Sequence, residues 1–373
     1  MSTLQHFLTL FLPVLFLSSL SHSEPPLRMQ IGQMLMVGFE GTSPQDKEVQ
    51  QFAKLIREGQ LGNIIFFGYN LQSPQQAIQL TSYFKSTSTP HPVFLAVDQE
   101  GGKVQRLNSK NQFRDFLSAK KASLKSKDYY KEMARMVADS GFNMVLGPVV
   151  DLEYNLKNQK PCPVIGSLER SFSPDPIVVV EKAGGYIQVF NDEGVTTCLK
   201  HFPGHGYAQK DSHKGLVDVT QTHDPVELEP FYRLIAENKA DAIMTAHLMN
   251  ARYDPDLPAT LSYKTLNGLL RQKGYDGVII SDCLHMGAIE NHYDLKTRII
   301  LALKAGVDIL ILSNNSGASI HTEQTKTRTP SPQLIKEVIT IIEDAIQTGE
   351  ISETQIQDSY RRIVRLKEKH RGK

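Results

Sequence analysis

The sequence carries almost no net charge: 41 lysines and arginines face 40 aspartates and glutamates, leaving +1 with histidine neutral. That balance supplies no field for nucleic acid or an anionic membrane surface and suits a small neutral ligand better than a polyanion. Cysteine is scarce too. Cys162, Cys198 and Cys283 are too few for a disulfide scaffold, and an odd number leaves at least one thiol free. All three are expected as small buried residues, with a Cys162–Cys198 bridge as the alternative in an oxidising compartment. Beyond Pro26 there is no linker, low-complexity tract or long run of like charge. No G-x-G-x-x-G follows the first strand pattern, which argues against a dinucleotide fold. Leu35-Met36-Val37-Gly38 lacks the H-x-H that barrel metallohydrolases place on a first strand. Pro203 and Gly204 also exclude the helix that would align His201 with His205 as metal ligands. Neither metal nor cofactor is expected; the alternative would gather His213, His247 and His285 around Asp282.

The strongest continuous apolar pattern is the run over residues 7–20, broken by Pro13. It falls short of the roughly 20 residues that span a bilayer. Ser21-His22-Ser23 offers small residues for cleavage, although no Lys or Arg precedes the run. The expectation is a signal peptide over 1–23 and a periplasmic or secreted mature chain over 24–373 with no stable membrane span. An uncleaved anchor is the alternative, and no cysteine follows the run to carry a lipid.

What the sequence does contain is a regular alternation. Hydrophobic residues make up 40% of the 373 and charged residues 22%, an ordinary globular composition able to bury a core. Strand patterns fall at 34–39, 63–67, 93–97, 143–146, 195–199, 242–245, 277–281 and 307–312. Helical patterns fall between and after them, at 44–58, 74–85, 127–139, 176–193, 226–237, 262–272, 295–305 and 334–348. Eight such units predict an α/β protein with one (β/α)8 TIM-type barrel and right-handed crossovers. The polar helical stretch 351–373 is expected outside the barrel.

In such a barrel chemistry collects where strands end. The third strand pattern runs into Asp98-Gln99-Glu100-Gly101-Gly102-Lys103-Val104-Gln105-Arg106, and the fifth into Lys200-His201-Phe202-Pro203-Gly204-His205-Gly206 and then Asp211-Ser212-His213. The sixth ends in Thr245-Ala246-His247 and the seventh in Ser281-Asp282-Cys283. One polar group closing a strand means little; four together predict a convergent site. Asp282, at the end of a strand buried on both faces, is either a helix cap or a nucleophile. Asp211 can hold one ring nitrogen of His213 and leave the other to donate a proton. Lys200 and His201 would point to opposite faces of a regular strand, so a bend is needed for both to meet one ligand.

At these residues the chain resembles glycoside hydrolase family 3, in particular its single-domain bacterial β-N-acetylglucosaminidases. The resemblance spans nearly the whole mature chain and is most specific at residues 200–206 followed by 211–213. Residues 98–107, Arg170-Ser171-Phe172 and 276–282 support it. It implies retaining hydrolysis of terminal β-linked N-acetylglucosamine, with Asp282 as nucleophile, His213 as acid/base and Asp211 as its partner. It implies that Asp98, Arg106, Arg170, Lys200 and His201 hold the sugar hydroxyls. The expected partner is a small carbohydrate or muropeptide, and the expected state a monomer. A histidine acid accounts for the missing second catalytic carboxylate.

Three departures stand out. Cys283 occupies the place of a second Asp after the nucleophile, and residues 166–170 run about two longer than the common form. An export signal also differs from the cytoplasmic recycling subgroup. Alternatives on the same fold are a β-glucosidase or a β-glycoside phosphorylase, and outside it a silent sugar-binding protein.

Overall fold

The computed structural model describes residues 24–87, 91–153, 160–313 and 331–370. The expected signal segment 1–23 lies outside the described residues. Among those described, no helix is long and apolar enough to cross a membrane.

Eight strands form one parallel sheet: β1 Leu35–Val37, β2 Asn63–Phe66, β3 Phe94–Val97, β4 Met144–Val145, β5 Thr196–Phe202, β6 Ala242–Thr245, β7 Val278–Ile280 and β8 Leu310–Leu312. Each pairs with its sequence neighbour, and β1 pairs with β8. The circle closes between β7 and β8 through an Ile280–Ile309 bridge, with the Ser281 N–H donating to the Ile309 carbonyl at 2.9 Å. The expected (β/α)8 barrel is therefore the observed fold. Every residue of these strands is buried, as parallel strands under a helical layer require.

The helices that follow the eight strands are Lys47–Arg57, Pro74–Ser86, Tyr129–Asp139, Pro176–Asp192, Glu229–Ala236, Tyr263–Leu269, Leu295–Ala305 and Pro332–Gln347. Their starts follow capping chemistry: Ser73, Asp175, Asp294 and Ser331 each accept a backbone N–H from the first turn. The helix expected from 44 begins at Lys47 because Asp46 turns back and accepts from the N–H groups of Thr42 and Ser43. The pattern over 226–237 opens with a 3-10 turn, Pro225–Leu228, and the one over 262–272 breaks at Leu270 into a second short turn. Aromatic edges fill the first quarter of the core, where Phe39 and Phe142 meet Phe66 at 5.0 Å. All three cysteines are free and buried, so the alternative Cys162–Cys198 bridge is not formed.

Helices Leu27–Gln33 and Glu353–Glu368 pack together across the N-terminal floor of the barrel, outside the strands as expected for the C-terminal stretch. Lys367 from the second helix is buried there, donating to Gln33 Oε1 at 2.8 Å and the Gly62 carbonyl at 2.7 Å. Burial pushes its pKa down to about 7. Asp308 is the other floor anchor. Its carboxylate accepts from the Ile279 N–H and from Arg271, Ser359 and Arg362 at 2.7–3.1 Å. Removing a fully buried carboxylate takes one acceptor from each of two guanidinium groups and from a backbone donor. Asp308→Ala should therefore cost about 3–5 kcal/mol in urea unfolding, and a loss below about 1 kcal/mol would show that the floor holds without it.

Candidate active site

Strand β5 continues three residues past its expected end, and those residues shape the site. Phe202 accepts the Ala246 N–H at 2.7 Å, while the pairing with β6 shifts register between Leu199 and Phe202. The Lys200–His201 and Phe202–Pro203 peptides are cis. The chain bends here, and Lys200 and His201 both line one cavity. Next, Gly206 lies so close to Leu152 that a Cβ would fall 1.7 Å from its carbonyl oxygen. Only glycine fits there.

The cavity is about 550 Å³ and opens at the C-terminal ends of the strands. All eight residues expected at the site line it: Asp98, Arg106, Arg170, Lys200, His201, Asp211, His213 and Asp282. Lys200 Nζ lies 2.8 Å from Asp98 Oδ1 and 2.7 Å from Glu100 Oε1, and Arg106 meets Asp98 Oδ2 at 3.1 Å. Burial alone would raise the Asp98 pKa; Lys200 and Arg106 overcome it and hold the carboxyl well below the usual range. Arg170 clasps Glu100 with two parallel bonds of 2.7 and 2.8 Å. The longer segment before Arg170 is taken up by a 3-10 turn over Gly166–Leu168 and a left-handed Glu169 at φ 55°, which folds the arginine back into the cavity.

Asp211 and His213 are in direct contact. Asp211 Oδ1 accepts from the His213 N–H at 2.9 Å and lies 2.7 Å from His213 Nδ1, leaving Nε2 free. The neighbouring loop approaches from the other side, where a Cβ on Gly287 would sit 2.8 Å from the His213 carbonyl oxygen. Asp282 ends β7 with Oδ1 accepting its neighbour's N–H at 2.7 Å. Burial works to raise its pKa, but the imidazoles of His247, His201 and His213 outweigh that and keep it ionised. Cys283 points away from the role of a second carboxylate. Its Sγ lies 2.7 Å from Ser313 Oγ, joining the ends of β7 and β8, and its carbonyl accepts from His247 Nε2 at 2.8 Å.

Sequence reasoning did not assign Asp151. It is fully buried, accepts the N–H groups of His201 and His205 at 3.1 and 2.8 Å, and holds His201 Nδ1 at 2.7 Å. His201 Nε2 then faces Arg170 at 3.3 Å as the acceptor. The signal was the one used elsewhere, a carboxylate ending an apolar run. The strand pattern was closed at 146, whereas a bridge from Val149 to Lys200 resumes the pairing beyond Pro148. Glu100, to which the sequence assigns no binding role, joins Arg170 to Lys200 in the charge cluster.

Residues 26–366 match the family description "Glycosyl hydrolase family 3 N terminal domain". The chain belongs to glycoside hydrolase family 3. It is 34% identical over 301 residues to a beta-hexosaminidase of Hydrogenovibrio crunogenus, covering 76% of this chain and 80% of that protein. It is 30% identical over 377 residues to Beta-hexosaminidase A of Pseudoalteromonas piscicida, covering 91% of this chain. The solved family 3 beta-N-acetylglucosaminidase from Paenibacillus superposes with a TM-score of 0.78 at 32% identity, covering 93% of this chain. The chain spans 60% of the Pseudoalteromonas protein and 63% of the Paenibacillus one.

The charge cluster has a consequence for acid stability. Burial opposes ionisation of Glu100, yet Arg170 and Lys200 draw its pKa from an ordinary 4.5 down to about 2. A depressed carboxyl contributes stability that is complete above the unfolded value and lost as pH falls through the folded one. Between about pH 4.5 and 2, unfolding free energy should fall less steeply with acid in Glu100→Gln than in the parent. Parallel slopes in denaturant titrations across that window would contradict this assignment.

Proposed function

We propose that this chain is a retaining β-N-acetylhexosaminidase. It removes terminal, non-reducing β-linked N-acetylglucosamine from peptidoglycan fragments or chito-oligosaccharides. The observation carrying this reading is that an ionised Asp282 and a His213 with Nε2 free line one cavity beside the Asp98–Lys200–Arg106 cluster. The names of the similar proteins support the choice of sugar.

Asp282 attacks the anomeric carbon and forms an ester bond as the glycosidic C–O bond breaks. His213 Nε2 gives its proton to the departing oxygen. Water then attacks the same carbon, His213 takes up its proton, and the ester bond breaks to return the Asp282 carboxylate. Asp98 accepts from sugar hydroxyls while Arg106, Lys200 and Arg170 supply donors around them, and His201 takes its place in the same wall. Asp211 accepts the Nδ1 proton of His213 and orients the ring, so the proton given to the departing oxygen is the second one, carried on Nε2 in the imidazolium. Glu100 is kept deprotonated by Arg170 and Lys200 and has no proton to give at neutral pH.

Asp282→Asn should lower turnover to below about a hundredth of the parent rate while leaving sugar binding measurable by calorimetry. Cys283→Ser should stay active. His213→Ala should slow glycosides of poor leaving groups far more than activated aryl glycosides, and azide should restore the second step for the latter; Asp211→Asn should show a weaker form of this pattern. Equal losses at both ends of the leaving-group series, without azide rescue, would make His213 a binding residue. Running the assays with and without phosphate separates hydrolysis from phosphorolysis.

The proposal includes export, with residues 1–23 removed. Mass spectrometry of the native protein should find the mature chain beginning near Glu24, outside the cytoplasm. An intact Met1 in the cytoplasmic fraction would overturn it.

A further inference from the structure

His205 belongs to the bend at the end of β5 yet makes no use of its ring in the chemistry above. It is buried, with its backbone N–H on Asp151 Oδ1 at 2.8 Å and its ring edge against His201, the centroids 5.9 Å apart. Its Nε2 lies 3.0 Å from Ser212 Oγ, and its Nδ1 lies 3.8 Å from Cys162 Sγ. Burial pushes its pKa down to about 4, so the ring is neutral near pH 7 and gains nothing as a charge. Ser212 is itself buried and sits between the two members of the acid/base pair, Asp211 and His213. Those two neighbours are only partly buried and are joined to each other by local bonds across two residues. Such bonds fix the ring relative to Asp211. They do not fix the pair relative to the barrel.

We infer that the His205–Ser212 hydrogen bond is a latch that holds the Asp211–His213 pair in register with Asp282. His205 and Ser212 are then positioning residues, acting on proton transfer through His213. The root of the latch is rigid: Asp151 grips the His205 backbone, and Gly206 is pressed against Leu152. On the far side the His213 carbonyl rests against Gly287, which sits five residues past Asp282. A pair clamped at both sides keeps Nε2 where the leaving oxygen passes, and a displacement of about 1 Å is enough to cost a large factor in rate. The inference rests on the acid/base reading of His213.

The test uses the full-length protein and a series of aryl β-N-acetylglucosaminides whose phenols span strong to weak acids. Ser212→Ala should lose about tenfold to a hundredfold in kcat/KM on the poorest leaving groups and less than about threefold on the best. Its inhibition constant for free N-acetylglucosamine should stay at the parent value. His205→Leu should match it, and His205→Gln, which keeps a donor able to reach Ser212, should recover most of the loss. A Ser212→Ala slope equal to the parent's, with His213→Ala steep, overturns the latch alone. Equal losses at both ends of the series with weakened sugar binding would also overturn it, leaving a purely structural role. A His213→Ala slope equal to the parent's removes the acid/base reading and the latch with it. Thermal melting of each variant separates misfolding, and if Ser212→Ala does not fold, the His205→Leu and His205→Gln pair decides.

Discussion

The site depends on one buried ammonium group. Lys200 stands at the bend of β5 with two carboxylates, Asp98 and Glu100, within 2.8 Å; Lys200 and Glu100 are buried and Asp98 is partly so. Carboxylates so close would not both stay ionised without it. Arg106 and Arg170 complete the arrangement from the outer sides, so that no member of the cluster is left as a lone buried charge. A wall of fixed charges and donors results, and it needs little rearrangement to receive hydroxyl groups. Lys200 can occupy this place only because β5 bends, since a straight strand would turn either Lys200 or His201 away from the cavity.

A third carboxylate, Asp151, does for the backbone what Lys200 does for the side chains. It satisfies the N–H groups of His201 and His205, which the bend removes from the sheet ladder. A buried N–H without an acceptor would be costly, and the bend would be correspondingly unstable. Around it, Val149, Cys162, Val164, Ala208 and Val217 form a small apolar cluster separate from the main core. That cluster gives the loops at the mouth a packed base of their own. Their shape therefore rests on burial as well as on the hydrogen bonds that cross the cavity.

Much of this was legible in the sequence. The eightfold alternation specifies a barrel because each strand has a period and a length of its own, and several helices begin at a residue suited to cap them. The site residues were legible because a charged side chain closing an apolar strand is conspicuous. Asp151 escaped because Gly147 and Pro148 interrupt the apolar run before it, and the strand pattern was closed there. The extension of β5 to Phe202 escaped for a related reason: Lys and His read as the end of a strand when they are in fact buried within it. Pairing across a sheet is a property of two segments, and no window on one segment reveals it. The place of Glu100 was hidden in the same way, since its partners lie 70 and 100 positions away in the chain.

The helical floor has a consequence for orientation. Glu24, where the described chain begins, is joined to Arg361 of the floor helix, and the other described end at residue 370 leaves that same helix. Both ends thus emerge beneath the barrel, opposite the mouth. Whatever either end is fixed to, whether a bilayer, a resin or a second protein, would meet the underside of the molecule. The cavity would open on the opposite side, away from both described ends.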